Sequence, residues 1–464
     1  MGEVLITQPR DFPAVEQLMQ AAELAEAIAR LPRPIAVAAV KQAIVDAKKR
    51  LADSGKPVPL STLVTEILDA LRRLKRLEIT RVINASGILV HTNLGRAPLA
   101  ESLFDNVKAS LVGYSNLEFD LASGVRGSRG VACESYLATL AESESATVVN
   151  NCAAALFVIL NTLANRKSVL ISRGELVQIG GGFRIPEILR RAGARLKEVG
   201  TTNITTVKDY EEAIDSTTSL ILKVHKSNFV QAGFTEEVPL KALVELGEKH
   251  QLPVVNDLGS GVFIDTSPIL GYTEPTVQQS VRAGADLTCF SGDKMLGGVQ
   301  AGLIVGKRDL IARIKKNPIF RTVRVDKVVF SVLERLLTIY LNSSATADIK
   351  LWAGLSVPVS ERYKQARQML QELGAPSGLS VEATQSFVGG GALPESAIPS
   401  VGLVFAPGYR ADDLMQRFRD GDPPIIGRVE NDRFILDLAA VDVADLPTIV
   451  AAVKVHLAAL PIKP

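Results

Sequence analysis

Apolar positions recur at helical spacing through the first part of the chain and then change rhythm. Between about 12 and 78, Val15, Leu18 and Met19, then Val37, Val40, Ile44 and Leu51, then Leu63, Ile67, Leu71 and Leu74 fall on the stripes of short amphipathic helices. Pro32 and Pro34 interrupt the pattern once, and the turn-forming run SGKPVP at 54–59 interrupts it again. A small helical domain over 1–78 is predicted. Beyond about 80 the pattern shortens to apolar runs separated by helical segments: TVVN (147–150), KSVLISR (167–173), SLILKVH (219–225), LPVVNDL (252–258) and ADLTCFS (285–291). That alternation predicts an α/β domain over 79–335, a mostly parallel sheet covered by helices. A long helical stretch over 326–375, interrupted near Gly354 to Pro358, leads on. A linker helix and a small α+β domain are expected over 336–464. Within it PPIIGRVENDRFILDL (423–438) reads as two strands about an Asn-Asp turn, with helices before and after.

Length and composition narrow the class. A chain of 464 residues exceeds what one hydrophobic core usually serves, in agreement with several domains. With 47% hydrophobic and 22% charged residues it belongs with globular proteins, outside the disordered and collagen-like classes. The net charge of +2 decides little about a polyanionic partner, because a basic surface can be a local stripe. Two such stripes are candidates, Lys48-Lys49-Arg50 and Arg72-Arg73 with Lys75 and Arg76; each suits phosphates or serves as a solvated helix face. Cys133, Cys152 and Cys289 lie far apart with no CxxC pair, which argues against a metal site or a disulfide framework and fits a reducing compartment. No basic-then-apolar leader and no run of about 18 uncharged apolar residues occurs, so a cytoplasmic protein without a membrane span is expected.

Ligands of such sheets bind where strands end and helices begin, and the polar clusters of this chain fall there. Lys294, in CFSGDKMLGG (289–298), stands among small residues just past a strand, where no amphipathic face needs its charge. An enclosed strand exit is where a lysine amine loses its proton and reacts with an aldehyde cofactor. Pyridoxal phosphate would further need an anion cradle, a carboxylate facing its ring nitrogen and groups against its ring. Asn151, Cys152 and Ala153 open a helix directly after a strand and offer the cradle, with the Ser291 hydroxyl added; a plain helix start capped by Asn151 is the alternative. Asp257 in NDLGSG offers the carboxylate, or simple turn chemistry before glycine. His225 and Asn228 in LKVHKSNF can meet the ring or its phenolic oxygen, although a core histidine reads the same. Gln178 to Phe183 combine glycines with an aromatic ring that can cover the other face.

Arginines form a second group. Arg96 in HTNLGRAP, Arg126 and Arg129 in GVRGSRG, and Arg321 and Arg324 in KKNPIFRTVRVDK lie in irregular segments, and guanidinium forks suit oxyanions. Singly each reads as a surface group; together they suggest a second anion pocket.

The runs INASGILVHTNLGRAPL, YSNLEFDL followed by RGSR, SRGELVQIGGGFRIPE, GTTN, NDLGSG, FSGDKMLGG and NP..R..RVDK, in this order, resemble the bacterial selenocysteine synthase family, the L-seryl-tRNA(Sec) selenium transferases. The resemblance covers nearly the whole chain. It implies the fold type I large domain of pyridoxal-phosphate enzymes, with Lys294 carrying the cofactor and Asp293 in the catalytic run. It also implies selenophosphate held by Arg96, Arg321 and Arg324. Seryl-tRNA(Sec) would be gripped by the N-terminal domain, and dimers would form a decamer with active sites at dimer interfaces. The implied reaction replaces the serine hydroxyl, lost as water, by selenium. Two other readings stay open: a related lyase or transferase acting on a small amino acid or amino sugar, and a non-catalytic tRNA-binding scaffold. The appended helical domain weighs against the first, and the Lys294, Asp257 and arginine set against the second. Departures from the family pattern are Gln178 for Glu, Lys226 for Thr, Phe229 for Tyr, Val299 for Pro, and Gly130 for a larger residue. Gln178 and Lys226 lie near enough to the expected site to alter its charge.

Overall fold

The N-terminal stripes fold into helices α1 (Val15–Met19), α2 (Ala22–Ala29), α3 (Arg33–Ser54) and α4 (Leu60–Arg76). The computed structural model describes residues 4–389 and 397–459, and these helices belong to a unit of their own, Met1–Val82. Pro34 stands in the first turn of α3, where a missing N–H breaks no helical bond. Gly55 closes the same helix in the left-handed region, its N–H 2.9 Å from the Leu51 carbonyl. Leu24, Val40, Leu63 and Ile67 are fully buried between the helices, which is what the periodic stripe predicts. The run SGKPVP also does something its turn residues do not announce, for Val58–Pro59 pairs antiparallel with Leu5–Ile6.

The second unit, Ile83–Pro464, is built on a seven-stranded sheet. In chain order its strands are β1 (Ser145–Val149), β2 (Ser168–Ser172), β3 (Arg195–Val199), β4 (Thr218–Val224), β5 (Val254–Gly259), β6 (Leu287–Ser291) and β7 (Gly302–Gly306). They lie in the order β3-β2-β4-β5-β6-β7-β1, parallel from β3 to β6, with β7 antiparallel to both neighbours. All five apolar runs read from the sequence are strands. The two unforeseen ones lack a clear signal: RLKEV is an edge strand with alternating charge, and GLIVG is three apolar residues between glycines. Both faces are covered, so the central strands are buried along their length, as parallel sheets require.

Register is what positions the site. Val224 pairs with Asp257, Asp257 with Cys289, Ser291 with Gly302, and Gly302 with Val149, so the ends of β4, β5, β6 and β1 stand near one level. Helix α5 (Cys152–Leu163) begins directly beyond β1. A side chain at Gly302 would place its Cβ 2.1 Å from the Asn151 carbonyl oxygen, so only glycine lets β7 pass the start of α5.

The long helical region divides at Gly354–Pro358 as predicted and also at 342–344. Its first helix, α6 (Lys327–Leu341), runs across the boundary expected at 335 and buries Phe330, Leu333, Leu336 and Leu337 in one cluster with Phe290 and Leu303 of the sheet. Towards the C-terminus, β8 (Leu379–Phe387), β9 (Ala397–Phe405), β10 (Arg428–Glu430) and β11 (Arg433–Asp437) form an antiparallel sheet in the order β8-β9-β11-β10. β10 and β11 are the predicted pair, and Asn431 and Asp432 both take positive φ in the turn between them. Helices Ala411–Arg419 and Leu446–Ala459 flank the pair. Among the described residues no helix is long and apolar enough to cross a membrane.

Gly302→Ala is expected to cost about 1–3 kcal/mol, the usual range for forcing atoms into packed space, and to loosen the start of α5. A lowered thermal midpoint in circular dichroism would show it; an unchanged midpoint would mean that β7 tolerates a side chain there.

Candidate active site

The strand ends enclose a cavity of about 350 Å³, within the usual range of about 300–1,000 Å³ for small-molecule sites. Arg96, Asn151, Cys152, Ala153, His225, Asn228, Asp257, Ser291, Asp293 and Lys294 all line it. The sequence reading did not foresee Thr92, Ser227, Gly259 or Gln300 in the lining. Thr92 lies in the same HTNLGR run as Arg96, and Gln300 two residues beyond the glycines of the lysine run, so their neighbours carried the only signal.

Lys294 is almost wholly buried, and a Cβ added at Gly259 would lie 3.7 Å from its Nζ. Glycine there serves the backbone, whose φ of +70 other residues seldom adopt. Asp257 faces the cavity with the Cys152 and Cys289 thiols each 3.6 Å from its Oδ1. Burial raises the proton affinity of this carboxyl, against the pull of Lys294 and the two thiols. Cys289 is pushed well above the ordinary thiol range by its contact with Cys152, then by burial. The three side chains lie within 4.8 Å of one another, so two cysteines that are far apart in sequence meet at Asp257.

The anion cradle is a helix start. Asn151 Oδ1 accepts from the Ala154 N–H at 2.8 Å and caps α5, while Cys152 and Ala153, whose N–H groups have no partner within a helix, line the cavity. The Ser291 side chain joins them. A phosphate-bearing ring with a basic nitrogen therefore fits the residues present: a helix N-terminus and a hydroxyl for the anion, a half-buried carboxylate for the ring nitrogen and an enclosed amine.

Asp293, unassigned by spacing alone, has a clear part. Its carboxylate Oδ2 lies 3.3 Å from Arg96 Nε, and its carbonyl accepts from the Ala97 N–H at 3.1 Å. Arg96 itself has φ +66, uncommon for a residue other than glycine, and its N–H donates to the His91 carbonyl at 2.9 Å. Backbone and side chain together aim this guanidinium into the cavity. Burial raises the Asp293 carboxyl, opposed by Arg96.

The other arginines are not brought to the cavity within one chain. Arg126 Nη2 donates to Glu118 Oε2 at 2.7 Å, Arg129 Nε to Glu118 Oε1 at 2.8 Å, and Arg324 Nη1 lies 4.0 Å from the same oxygen. The hydrogen bond from Arg129 holds the Glu118 carboxyl below the usual range. Arg321 is exposed on the turn Pro318–Val323, which reaches the cradle through the Asn150 N–H donating to the Val323 carbonyl at 2.9 Å.

The departures from the family pattern are accommodated locally. Gln178 accepts from Arg184 Nε at 2.7 Å, and Lys226 pairs with Glu237 at 2.9 Å; neither lines the cavity. Phe229 and Val299 pack against the core. Gly130, at φ +64, leaves room for Phe330, whose Cε1 a Cβ would meet at 2.1 Å. The glycine turn at 178–183 borders the cavity at Gly180, and Asn228 Nδ2 donates to the Gln178 carbonyl at 2.7 Å. The side chain of Phe183 lies outside the described residues.

In the helical unit the basic clusters divide. Lys48 sits 5.5 Å from the Phe12 ring centroid, Arg50 pairs with Glu66 at 2.5 Å, Arg72 with Asp69 at 3.9 Å and Lys75 with Glu78 at 2.6 Å. Lys49, Arg73 and Arg76 are exposed.

The sequence profile of the L-seryl-tRNA selenium transferases matches residues 82–442. This chain belongs to that family. It is 42% identical over 455 residues to the L-seryl-tRNA(Sec) selenium transferase of Geotalea uraniireducens, covering 96% of this chain and 98% of that one. The enzyme of the same name from Aquifex aeolicus is 40% identical over 439 residues, covering 94% and 97%. Among solved structures, D-glucosaminate-6-phosphate ammonia-lyase superposes with a TM-score of 0.61 at 21% identity, over 84% of this chain and 99% of that one. The fold type I architecture expected from the sequence is thus borne out, as is the family.

Because folding raises the proton affinity of Asp257, any stability its protonated form contributes is fully present below the unfolded Asp value near pH 4, and is lost as pH rises through the folded value. Asp257→Asn is therefore expected to raise the thermal midpoint of the cofactor-free protein at neutral pH, with the gain shrinking towards about pH 4. A gain independent of pH would show that the carboxylate is not strained by burial.

Proposed function

We propose that this cleft is where seryl-tRNA(Sec) becomes selenocysteinyl-tRNA(Sec), with pyridoxal phosphate as cofactor and selenophosphate as selenium donor. Family membership supports the activity and the cofactor. The observation that carries the residue roles is the meeting of Lys294 and Asp257 beside a capped helix start in one enclosed cavity.

When bound, pyridoxal phosphate supplies an aldehyde that joins amines and a ring that withdraws electrons from the α-carbon of the seryl group. Lys294 would hold it, and its amine is the group that would take and return the α-proton. Asp257 would keep a proton on the ring nitrogen, and its enclosed position, with little water to screen it, would strengthen that interaction. The Cys152 and Ala153 N–H groups and the Ser291 hydroxyl would hold the phosphate, and His225 and Asn228, which line the same cavity, would border the ring. The β-hydroxyl would leave as water and selenium bond to the β-carbon in its place, the donor's Se–P bond being cleaved by water to release phosphate; Arg96, which Asp293 positions, would hold the donor. Arg321 and Arg324 complete the donor pocket in this reading, with Arg126 and Arg129 sharing Glu118 as their resting partner. The family resemblance supports a decamer built as five dimers, with the helical domain of 1–78 meeting the tRNA and the chain from 79 onward carrying catalysis in a cytoplasmic setting.

A lyase for small substrates has no use for a basic helical unit, whereas a tRNA needs phosphate contacts away from the chemistry. Seryl-tRNA(Sec), seryl-tRNA(Ser) and free serine, each supplied with selenophosphate, separate the readings: selenium should enter only the first, and Lys294→Ala should abolish both the transfer and the visible absorbance of bound cofactor. Turnover of free serine without a response to seryl-tRNA(Sec) would favour the lyase.

Lys49→Glu with Arg73→Glu reverses two exposed cations, one on α3 and one on α4. It should weaken tRNA binding and flatten its salt dependence by roughly 0.7–0.9 log units per lost phosphate contact. An unaltered slope in filter binding would leave these residues as a solvated face.

A further inference from the structure

Behind the cleft stands a carboxylate without the hydrogen bonds such a group requires. Glu274 is fully buried, and among the described residues neither of its side-chain oxygens has a hydrogen-bond partner. Leaving a buried polar group unpaired costs about 1–3 kcal/mol, and more for a charge, so its retention calls for a function. Its Oε1 lies 3.2 Å from Nε2 of His225, and that nitrogen is likewise buried without another partner. The approach is close in distance but bent in angle, a condition common at sites that tighten when loaded.

Both groups are held by backbone. The Glu274 N–H donates to Thr266 Oγ1 at 2.9 Å, and Thr266 Oγ1 donates to the Tyr272 carbonyl at 2.8 Å. The His225 N–H donates to the Asp257 carbonyl at 2.9 Å, at the end of β4. The other charges around the imidazole have partners of their own. Asp257 feels Lys294 across the cavity, and Glu237 is engaged by Lys226 at 2.9 Å and approached by Lys223 at 3.9 Å. Glu274 is the carboxylate left for His225.

We propose that Glu274 is a positioning residue: its carboxylate takes the Nε2–H of His225 and thereby fixes how the imidazole presents itself to the cleft. In that arrangement Nε2 is the donor nitrogen and Nδ1 the acceptor of the neutral ring. The significance for catalysis rests on the cleft being the cofactor site, whereas the contact itself does not.

Magic-angle-spinning NMR of the 15N-histidine-labelled holoenzyme tests this, since the chain has only four histidines and His225→Gln identifies the resonance. The expected result is a proton on Nε2, strongly deshielded and slow to exchange. In Glu274→Leu that proton should move upfield and exchange about tenfold faster or more, the factor for losing a charge-assisted hydrogen bond. A proton on Nδ1 with Nε2 bare in the unaltered enzyme would overturn the proposal, as would an undisturbed Nε2–H in Glu274→Leu. Should the leucine variant fail to fold, the unaltered enzyme decides alone. A failure of selenium transfer to seryl-tRNA(Sec) would count against the reading of the cleft and leave this measurement intact.

Discussion

Strand register is the constraint on which everything else in this structure rests. Asp257 reaches the cavity because it pairs with Val224 on one side and Cys289 on the other, and neighbouring residues on a strand point to opposite faces. A slip of one residue would turn the carboxylate into the helix layer and leave Lys294 without its partner. Asn256 guards against that slip. On the opposite face its Nδ2 donates to Ser280 Oγ at 2.8 Å, and that hydroxyl in turn meets Thr288 Oγ1 at 2.7 Å, across β6. A polar pin on one face thus keeps the chemical group on the other.

A second pin lies one strand away. Lys223 reaches the buried Glu175 at 2.6 Å, and the other carboxylate oxygen accepts from the Val224 N–H at 2.9 Å, joining the turn after β2 to the end of β4. Burial raises the Glu175 carboxyl, with Lys223 opposing it. Such pairs cost desolvation and add little net stability, but breaking one strands a charge in the interior. Here the pair fixes the last residues before His225, so its contribution is to geometry.

The framework was legible in the sequence because periodicity reports burial directly. Five apolar runs became five strands, the N-terminal stripes became helices, and the Asn-Asp turn became a hairpin. What stayed hidden lacked a local signal. RLKEV is an edge strand paired on one side only, and β7 is stopped at each end by glycine. The cavity lining was legible wherever a reactive residue type stood at a strand exit. Asp293 was readable only through resemblance, since a carboxylate next to a lysine has many uses and its contact with Arg96 spans 197 positions of sequence. Cys152 and Cys289 give the same lesson: wide spacing does not separate residues that a parallel sheet aligns. Glu274 carried no signal, because a single glutamate before a proline reads as a turn.

Gly130 ties two distant positions into one packing unit. The Phe330 ring occupies the space where a side chain at 130 would stand, so a larger residue there needs a change at 330 as well. A bulky residue placed at the first position would require the phenyl group at the second to be smaller or turned away. Substitutions transplanted between members of the family at one of these two sites will succeed only as a matched pair.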